Sequence, residues 1–600
     1  MDMPTPSDAD RAVQPLRWGT ECRPDGQTRF RLWAPSVESL SLELRGQAPQ
    51  SMQRRDDGWW EVTTQVSPGT HYRYHLPDGL NVPDPASRQQ DGGVHGWSVV
   101  VGPDRFAWKN TGWRGRPWHE AVIYEAHLGL FGGYDGLREK LPELRDLGVT
   151  VIEVMPIAEF PGAHNWGYDG TLLYAPERCY GTPDDLKRLV DEAHGLGLSM
   201  ILDVVYNHFG PDGSYISAYS KPFFTEDAHT PWGAAIDFRR PEVLDYYVGN
   251  ALYWLNEFRF DGLRFDALHA VSPQDVLVTL TREIRAGLDP SREIALVMEH
   301  EDNAARFLRS GPGRPGFDAQ WADDFHHCMH VLLTGETGSY YEDYDHPTRR
   351  LARALTEGFV YQGEVSGLRG KPRGEPSGHL PTSCFVMHLQ NHDQVGNRAR
   401  GERLPALTSP EKLRAATALL LLFPFIPLIF MGDEWATESP FLFFTDHGDE
   451  LAELVRKGRA KEFGIGAADS PGEAGSKDAI PDPNSPETFE ACIVKETDPA
   501  MRALYKQLLA LRRERIMPGI PGTRALGCDV LGHGAVTARW RLGDGAELAI
   551  AMNLGDEGAP ASMPPGEVVH ESAPGAADAL RGGTLPSAST VVVLAAGPAR

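Results

Sequence analysis

From residue 121 onward the chain repeats one pattern, a short apolar run followed by a longer stretch of mixed apolar and polar positions. The runs have strand length and the stretches between them have helix length, so the repeat predicts β and α in alternation, and therefore a parallel sheet. Eight runs predict strands at 121–127, 150–155, 199–205, 260–266, 294–299, 317–322, 384–390 and 426–431, which fits a (β/α)8 TIM barrel with insertions. The longest apolar stretch, Ala416 to Phe430, contains Pro424 and Pro427 and reads as a barrel helix running into a strand. Upstream the period changes to two: FRLWAPSVESLSLEL, WWEVTTQV and HYRYHL are separated by Pro-Gly and Asp-Gly turns, the pattern of a small antiparallel β-sandwich. Downstream the helix LYKQLLALRRE (504–514) ends the barrel, and strand runs return at Trp540–Leu542, Leu548–Met552 and Thr590–Leu594. The expected organisation is α/β: a disordered tail over 1–15, an N-terminal β-sandwich over 16–103, a catalytic barrel over 104–519 and a C-terminal β-domain over 520–600.

The polar residues of the barrel segment cluster at the ends of the predicted strands. In FDGLRFDALHA (260–270), Arg264 and Asp266 stand two apart and share one face of a strand. A cation there favours an ionised carboxylate and fixes its rotamer, which suits a nucleophile; a structural ion pair is the plainer reading of the two residues alone. Three further runs end alike: DVVYNH (203–208), LVMEHED (296–302) with Glu299, and VMHLQNHDQ (386–394) with His392 and Asp393. All four clusters fall at the C-terminal ends of strands, the face on which such barrels carry out chemistry, and independent ion pairs would not share that position.

Composition narrows the partners. The 600 residues carry 83 acidic and 58 basic side chains, a net charge of -25, whereas nucleic acid and anionic membrane surfaces both require a positive footprint. A neutral ligand meets no such barrier. The six cysteines are scattered without the spacing of a metal knuckle or a disulfide framework and read as reduced packing residues. The first residues are polar and acidic without an apolar core, and no run has membrane-span length, so a cytoplasmic location is expected. No obligate protein partner is expected.

The order and residues of the four strand-end clusters resemble the signature regions of the α-amylase superfamily of glycoside hydrolases, over roughly residues 120–515. Further stretches resemble its trehalose-releasing members: DPASRQQDGGVHGWS (84–98), FDAQWADDFHHCMHVLLTGETGSYYEDY (317–344), FMGDEWATESPFLFFTDH (430–447), KGRAKEF (457–463) and IPDPNSPETF (480–489). The N-terminal segment looks like the carbohydrate-binding-like sandwich of branching and debranching relatives, with a structural role favoured for Trp33, Trp59 and Trp60. The resemblance implies a retaining hydrolase with Asp266 as nucleophile, Glu299 as general acid and base, and Asp393 as a third acid orienting sugar hydroxyls. Glu301 is the competitor for the acid role. It also implies substrate-binding parts for Asp203, His208, Arg264, His269 and His392, and for Tyr168 of the loop MPIAEFPGAHNWGYDG (155–170) as a stacking surface. Trp321, Asp323, Asp324, His326 and His327 after the sixth strand, and the loop Phe441 to His447 after the eighth, are the expected specificity segments, with Asp324 and His327 expected to matter most. The implied substrate is maltooligosyltrehalose and related α-glucans; a branching or debranching enzyme and a catalytically dead sugar-binding barrel are the alternatives. Two carboxyls suffice for the reaction, so no metal or organic cofactor is expected, although Asn207 occupies a position at which some relatives hold calcium.

Overall fold

Eight parallel strands hydrogen-bond into a closed barrel: β1 (Ile123–Ala126), β2 (Val151–Val154), β3 (Ser199–Val204), β4 (Gly262–Phe265), β5 (Ala295–Met298), β6 (Ala319–Trp321), β7 (Phe385–His388) and β8 (Ile426–Phe430). The computed structural model describes residues 17–102, 106–230, 233–309, 316–463 and 480–597, and the tail expected to be disordered lies outside them. The barrel closes where β1 pairs with both β2 and β8, Ile123 standing opposite Val151 and Leu428. Each strand lies inside its predicted segment.

Side chains two apart share a face of a strand, so each strand sends a row into the barrel. The lower members, among them Ile123, Val151, Ile201, Val297, Trp321, Val386 and Leu428, form one buried apolar cluster. The next position along several of these rows is polar: Glu125, Glu153, Asp203, Glu299, Asp323 and His388. An apolar plug thus closes the base, and a polar layer lies above it, towards the C-terminal strand ends.

The helix Pro183–Gly195 is started by a capping box in which Thr182 and Asp185 exchange hydrogen bonds, with Pro183 at the first helical position. The regular alternation fails once: between β5 and β6 the described residues hold only the short 3-10 turn Ala305–Phe307. The last barrel helix, Pro499–Leu511, is tied to the C-terminal end of the helix Pro410–Leu422 by buried Arg512, whose guanidinium donates to the carbonyls of Phe423 (2.6 Å) and Leu421 (3.2 Å).

Two antiparallel sheets precede the barrel, one built on Gln27–Trp33 paired along its length with Trp59–Gln65 and the other on Ser41–Leu44 and His71–His75. Trp33, Trp59 and Trp60 are buried. Trp18 joins this unit to the barrel, donating to the Glu242 carbonyl (3.2 Å) and meeting the Tyr246 ring edge-on at 5.0 Å. After the barrel comes a five-stranded antiparallel sheet, docked through Trp540 Nε1 on the Leu355 carbonyl (2.9 Å) and Thr590 Oγ1 on the Ala415 carbonyl (2.8 Å). All six cysteines are free thiols. Among the described residues no helix is long and apolar enough to cross a membrane.

Candidate active site

Arg264, pointing inward from β4, is fully buried and holds three acids on one guanidinium. Nη1 donates to Asp203 Oδ2 at 2.7 Å and to Asp266 Oδ1 at 2.9 Å, while Nη2 lies 2.9 Å from Glu299 Oε2. Burial opposes the charge, but Asp203 and Glu299 hold the pKa above the ordinary arginine value, so the centre stays cationic. Beneath it the Trp321 ring lies 4.3 Å from the guanidinium carbon, a cation–π contact in a dry setting.

Of these three carboxylates, Asp203 is buried and the other two are only partly covered. The Asp266 side chain is 12% exposed and the Glu299 side chain 17%. Asp266 Oδ2 accepts from Asn207 Nδ2 at 2.9 Å, and Glu299 Oε2 accepts from the Ala267 N–H at 2.8 Å. Ala267 adopts a left-handed φ of 43°, an uncommon conformation for a residue with a Cβ, and this turn aims its N–H at Glu299.

Asp393, 38% exposed, sits in the first turn of the short helix His392–Gly396 that follows β7. His392 is buried between acids: Nδ1 contacts Glu125 Oε1, its backbone N–H donates to Glu125 Oε2 at 3.2 Å, and Nε2 lies 3.5 Å from Asp393 Oδ1. Burial disfavours its charge, yet Asp393 and Glu125 together push the pKa up to about 9. An imidazolium donates from both nitrogens. Its Nε2 therefore donates to the Tyr168 hydroxyl (2.8 Å), which donates onward to Asp203 Oδ2 (2.7 Å). The half-buried Tyr168 ring stacks on His392 with centroids 5.2 Å apart. His208 lies between the Asn207 amide oxygen and the Tyr168 carbonyl.

Several of the expected substrate-binding side chains are buried. Arg264, Asp203 and Trp321 are buried and in contact with one another through the guanidinium. The Asp324 side chain is 0% exposed. It accepts from Asn303 Nδ2 (2.8 Å), the N–H groups of Val360 (2.6 Å) and Tyr361 (3.2 Å) and the Tyr344 hydroxyl, pairs with Arg373 at 3.3 Å, and so braces the loop that follows β6. His326 is buried between the Leu389 carbonyl (2.6 Å) and the Tyr341 hydroxyl (3.1 Å). His327 packs behind the rim, its ring 5.0 Å from Tyr340 and 4.8 Å from Tyr344. His269 is half-buried, 3.8 Å from Glu301, whose carboxylate is bound by Arg369 at 2.7 Å. Trp166, in the same loop as Tyr168, is buried and stacked on Phe441 at 5.1 Å.

Sequence reasoning missed Glu125 and Glu153. Their signal was a lone acid inside an apolar strand, in IYEA and VIEV. Glu153 is buried and, among the described residues, has no hydrogen-bond partner on either oxygen; burial first, then Glu125 and Asp203, push its pKa well above the usual carboxylate value. Asn207 was read only against calcium, whereas its amide is engaged with Asp266 and His208. Among the described residues no group of three or more His, Cys, Asp and Glu side chains is arranged to hold a metal ion.

The alpha amylase catalytic domain family matches residues 100–234, and a domain of unknown function, DUF3459, matches residues 523–593. The chain is 39% identical over 513 residues to a malto-oligosyltrehalose trehalohydrolase of Saccharolobus solfataricus, covering 83% of this chain and 87% of the relative. It is 38% identical over 566 residues to the enzyme so named in Deinococcus radiodurans, covering 90% and 91%. A crystal structure from Salmonella typhimurium, described as a candidate alpha amylase, superposes with a TM-score of 0.90 at 43% identity and covers 97% of this chain and 100% of that one. The pullulanase of Anoxybacillus sp. LM18-11, solved with maltotetraose, shares the fold at a TM-score of 0.68 and 18% identity, covering 98% and 88%. With identity sustained along nearly the whole of both chains, and not over the barrel alone, this chain belongs to the malto-oligosyltrehalose trehalohydrolase family.

Proposed function

We propose that the chain is a retaining glycoside hydrolase that cleaves the α-1,4-glucosidic bond next to the terminal trehalose unit of maltooligosyltrehalose and releases trehalose. The observation that carries the mechanism is the contact of one guanidinium with both Asp266 and Glu299. A shared Arg264 keeps the two carboxyls close, as a double displacement requires: retaining enzymes hold them roughly 5–5.5 Å apart, whereas inverting enzymes leave room for a water. Asp266, ionised beside Arg264, attacks the anomeric carbon while Glu299 gives its proton to the leaving glycosidic oxygen, so the C–O bond breaks and a glycosyl ester forms on Asp266. Glu299, now a carboxylate, takes a proton from water, and the hydroxide attacks the same carbon and frees Asp266. Tyr168 offers its ring to the sugar being cleaved, and Asp393 with the His392 imidazolium binds that sugar's hydroxyls and the charge developing on it. The six thiols, none of them in a disulfide, agree with a cytoplasmic setting.

Product analysis after separate incubation with maltooligosyltrehalose, amylose and amylopectin tests this reading. Free trehalose from the first, with little cleavage of the others, is the expected result. New branch points in amylose would favour a branching enzyme, and loss of branches from amylopectin a debranching one.

A further inference from the structure

The two aspartates that follow β6 have opposite environments. Asp324 has five contacts and no exposure, while Asp323, one residue earlier, continues the inward row of Ala319 and Trp321, and its side chain is 23% exposed. Among the described residues its carboxyl has one near contact, His388 Nε2 at 3.8 Å. The buried His388 ring has, among the described residues, no hydrogen-bond partner on either nitrogen. Arg373, whose charge acts on Asp323, is engaged by Asp324 and the Tyr344 hydroxyl.

The order of the barrel fixes where Asp323 stands. Asp266 follows β4, Glu299 follows β5, Asp323 follows β6 and Asp393 follows β7, on four strands that are neighbours in the sheet. Asp323 is therefore beyond Glu299 as seen from Asp266. A general acid sits on the leaving-group side of the bond it protonates, so the strand end that directly adjoins Glu299, on the side away from the nucleophile, borders the departing sugars. We infer that the Asp323 carboxyl hydrogen-bonds a hydroxyl of the leaving disaccharide and is a specificity-determining residue for the trehalose end. This rests on the function proposed above and names a residue through which that function selects its substrate.

A polar group left without a partner in a closed site is costly, so a carboxyl with no protein partner discriminates against any leaving group that cannot pair with it. Burial first, then the carboxylates of Glu299 and Asp393, push its pKa up to about 8. At neutral pH it is thus mostly an uncharged acid, able both to donate to a hydroxyl and to accept from one.

The test compares wild type, Asp323→Ala and Asp323→Asn on three substrates: a trehalose-capped maltooligosaccharide, a plain maltooligosaccharide of equal length, and an α-maltosyl fluoride, which carries no leaving sugar. Asp323→Ala is expected to lower kcat/KM on the capped substrate about 10- to 100-fold more than on the fluoride, the range for one lost hydrogen bond to a buried polar partner. Asp323→Asn, which also offers a donor and an acceptor, is expected to keep most of the preference for the capped substrate. Equal losses on all three substrates in Asp323→Ala, or an Asn variant as unselective as the Ala one, would overturn the inference. Should Asp323→Ala fail to fold, calorimetric titration of trehalose into Asp323→Asn and Asp323→Leu decides, with weaker binding expected in the Leu variant and equal binding overturning the inference. A wild-type enzyme with no preference for capped ends would instead sink the proposed function, so the two failures are distinguishable.

Discussion

Asp261 and Asp266 stand at the two ends of one strand, β4, and differ in how fully they are used. Asp261, at the base, accepts from Trp113 Nε1 (2.8 Å), His194 Nε2 (2.9 Å) and the Met200 N–H (3.0 Å), with Arg292 at 3.9 Å. Asp266, at the top, accepts from Arg264 and Asn207, and the rest of its carboxylate faces the cleft. A carboxylate whose lone pairs are all engaged fixes structure, whereas one held in place on one side and open on the other can attack. Asp324 and Asp323 repeat the contrast one loop further on. On the function proposed above, reactivity comes from incomplete satisfaction within a rigid frame, and residue type alone does not mark it.

The comparison breaks most visibly at the open end. Asp266→Asn and Glu299→Gln are each expected to lower turnover on the order of 10⁴-fold or more with the fold intact. Steady-state kinetics alongside circular dichroism checks this, and a folded variant of either kind with near-normal rates would remove these residues from the chemistry. Arg264→Lys should cost about 100-fold in kcat, because a point charge on a flexible stem cannot serve Asp203, Asp266 and Glu299 together as a planar guanidinium does. Equal kcat in the lysine variant would mean that charge alone suffices.

Asp261→Asn sharpens the other side. Its amide would turn a donor towards the donors of Trp113, His194 or Met200, so unfolding stability should fall by about 3 kcal/mol while kcat of the folded enzyme stays within a few-fold. Denaturant melts joined to kinetics report both quantities. A large loss of kcat without a loss of stability would erase the distinction between the two strand ends.

The smallest effect is a shift in pH dependence. His392 has its folded pKa raised from 6.5 to about 9, so its contribution to stability is fully present below about pH 6.5 and is lost as pH rises through about 9. Glu125→Gln removes one of the acids holding that proton and should move the alkaline loss of activity and stability down by about one pH unit. NMR titration of the imidazole and a kcat profile measure it, and an unmoved alkaline limb would show that Asp393 alone holds the charge.

Much of the barrel was legible because its signal is local. Apolar runs of strand length, helical stretches between them and acids at the run ends are all properties of neighbouring residues. The strand positions and the C-terminal location of Asp266, Glu299 and Asp393 follow from that periodicity. What the sequence hid was direction and depth. WADDFHH presents two adjacent aspartates and two adjacent histidines of equal chemical promise, yet the turn from β6 into the helix Asp323–Thr334 opens Asp323 to the cleft and buries Asp324, His326 and His327.

The sequence by itself determined the strand–helix alternation, the β-rich segments on either side and the four strand ends that carry the acids, because period and polarity are written into consecutive residues. Only the tertiary structure decided which polar groups meet. Glu125 reaches His392 across 267 positions of chain, and Arg264 gathers Asp203, Asp266 and Glu299 from three strands. Those pairings depend on strand register and on the curvature that closes β1 against β8, which bring distant residues within hydrogen-bond distance.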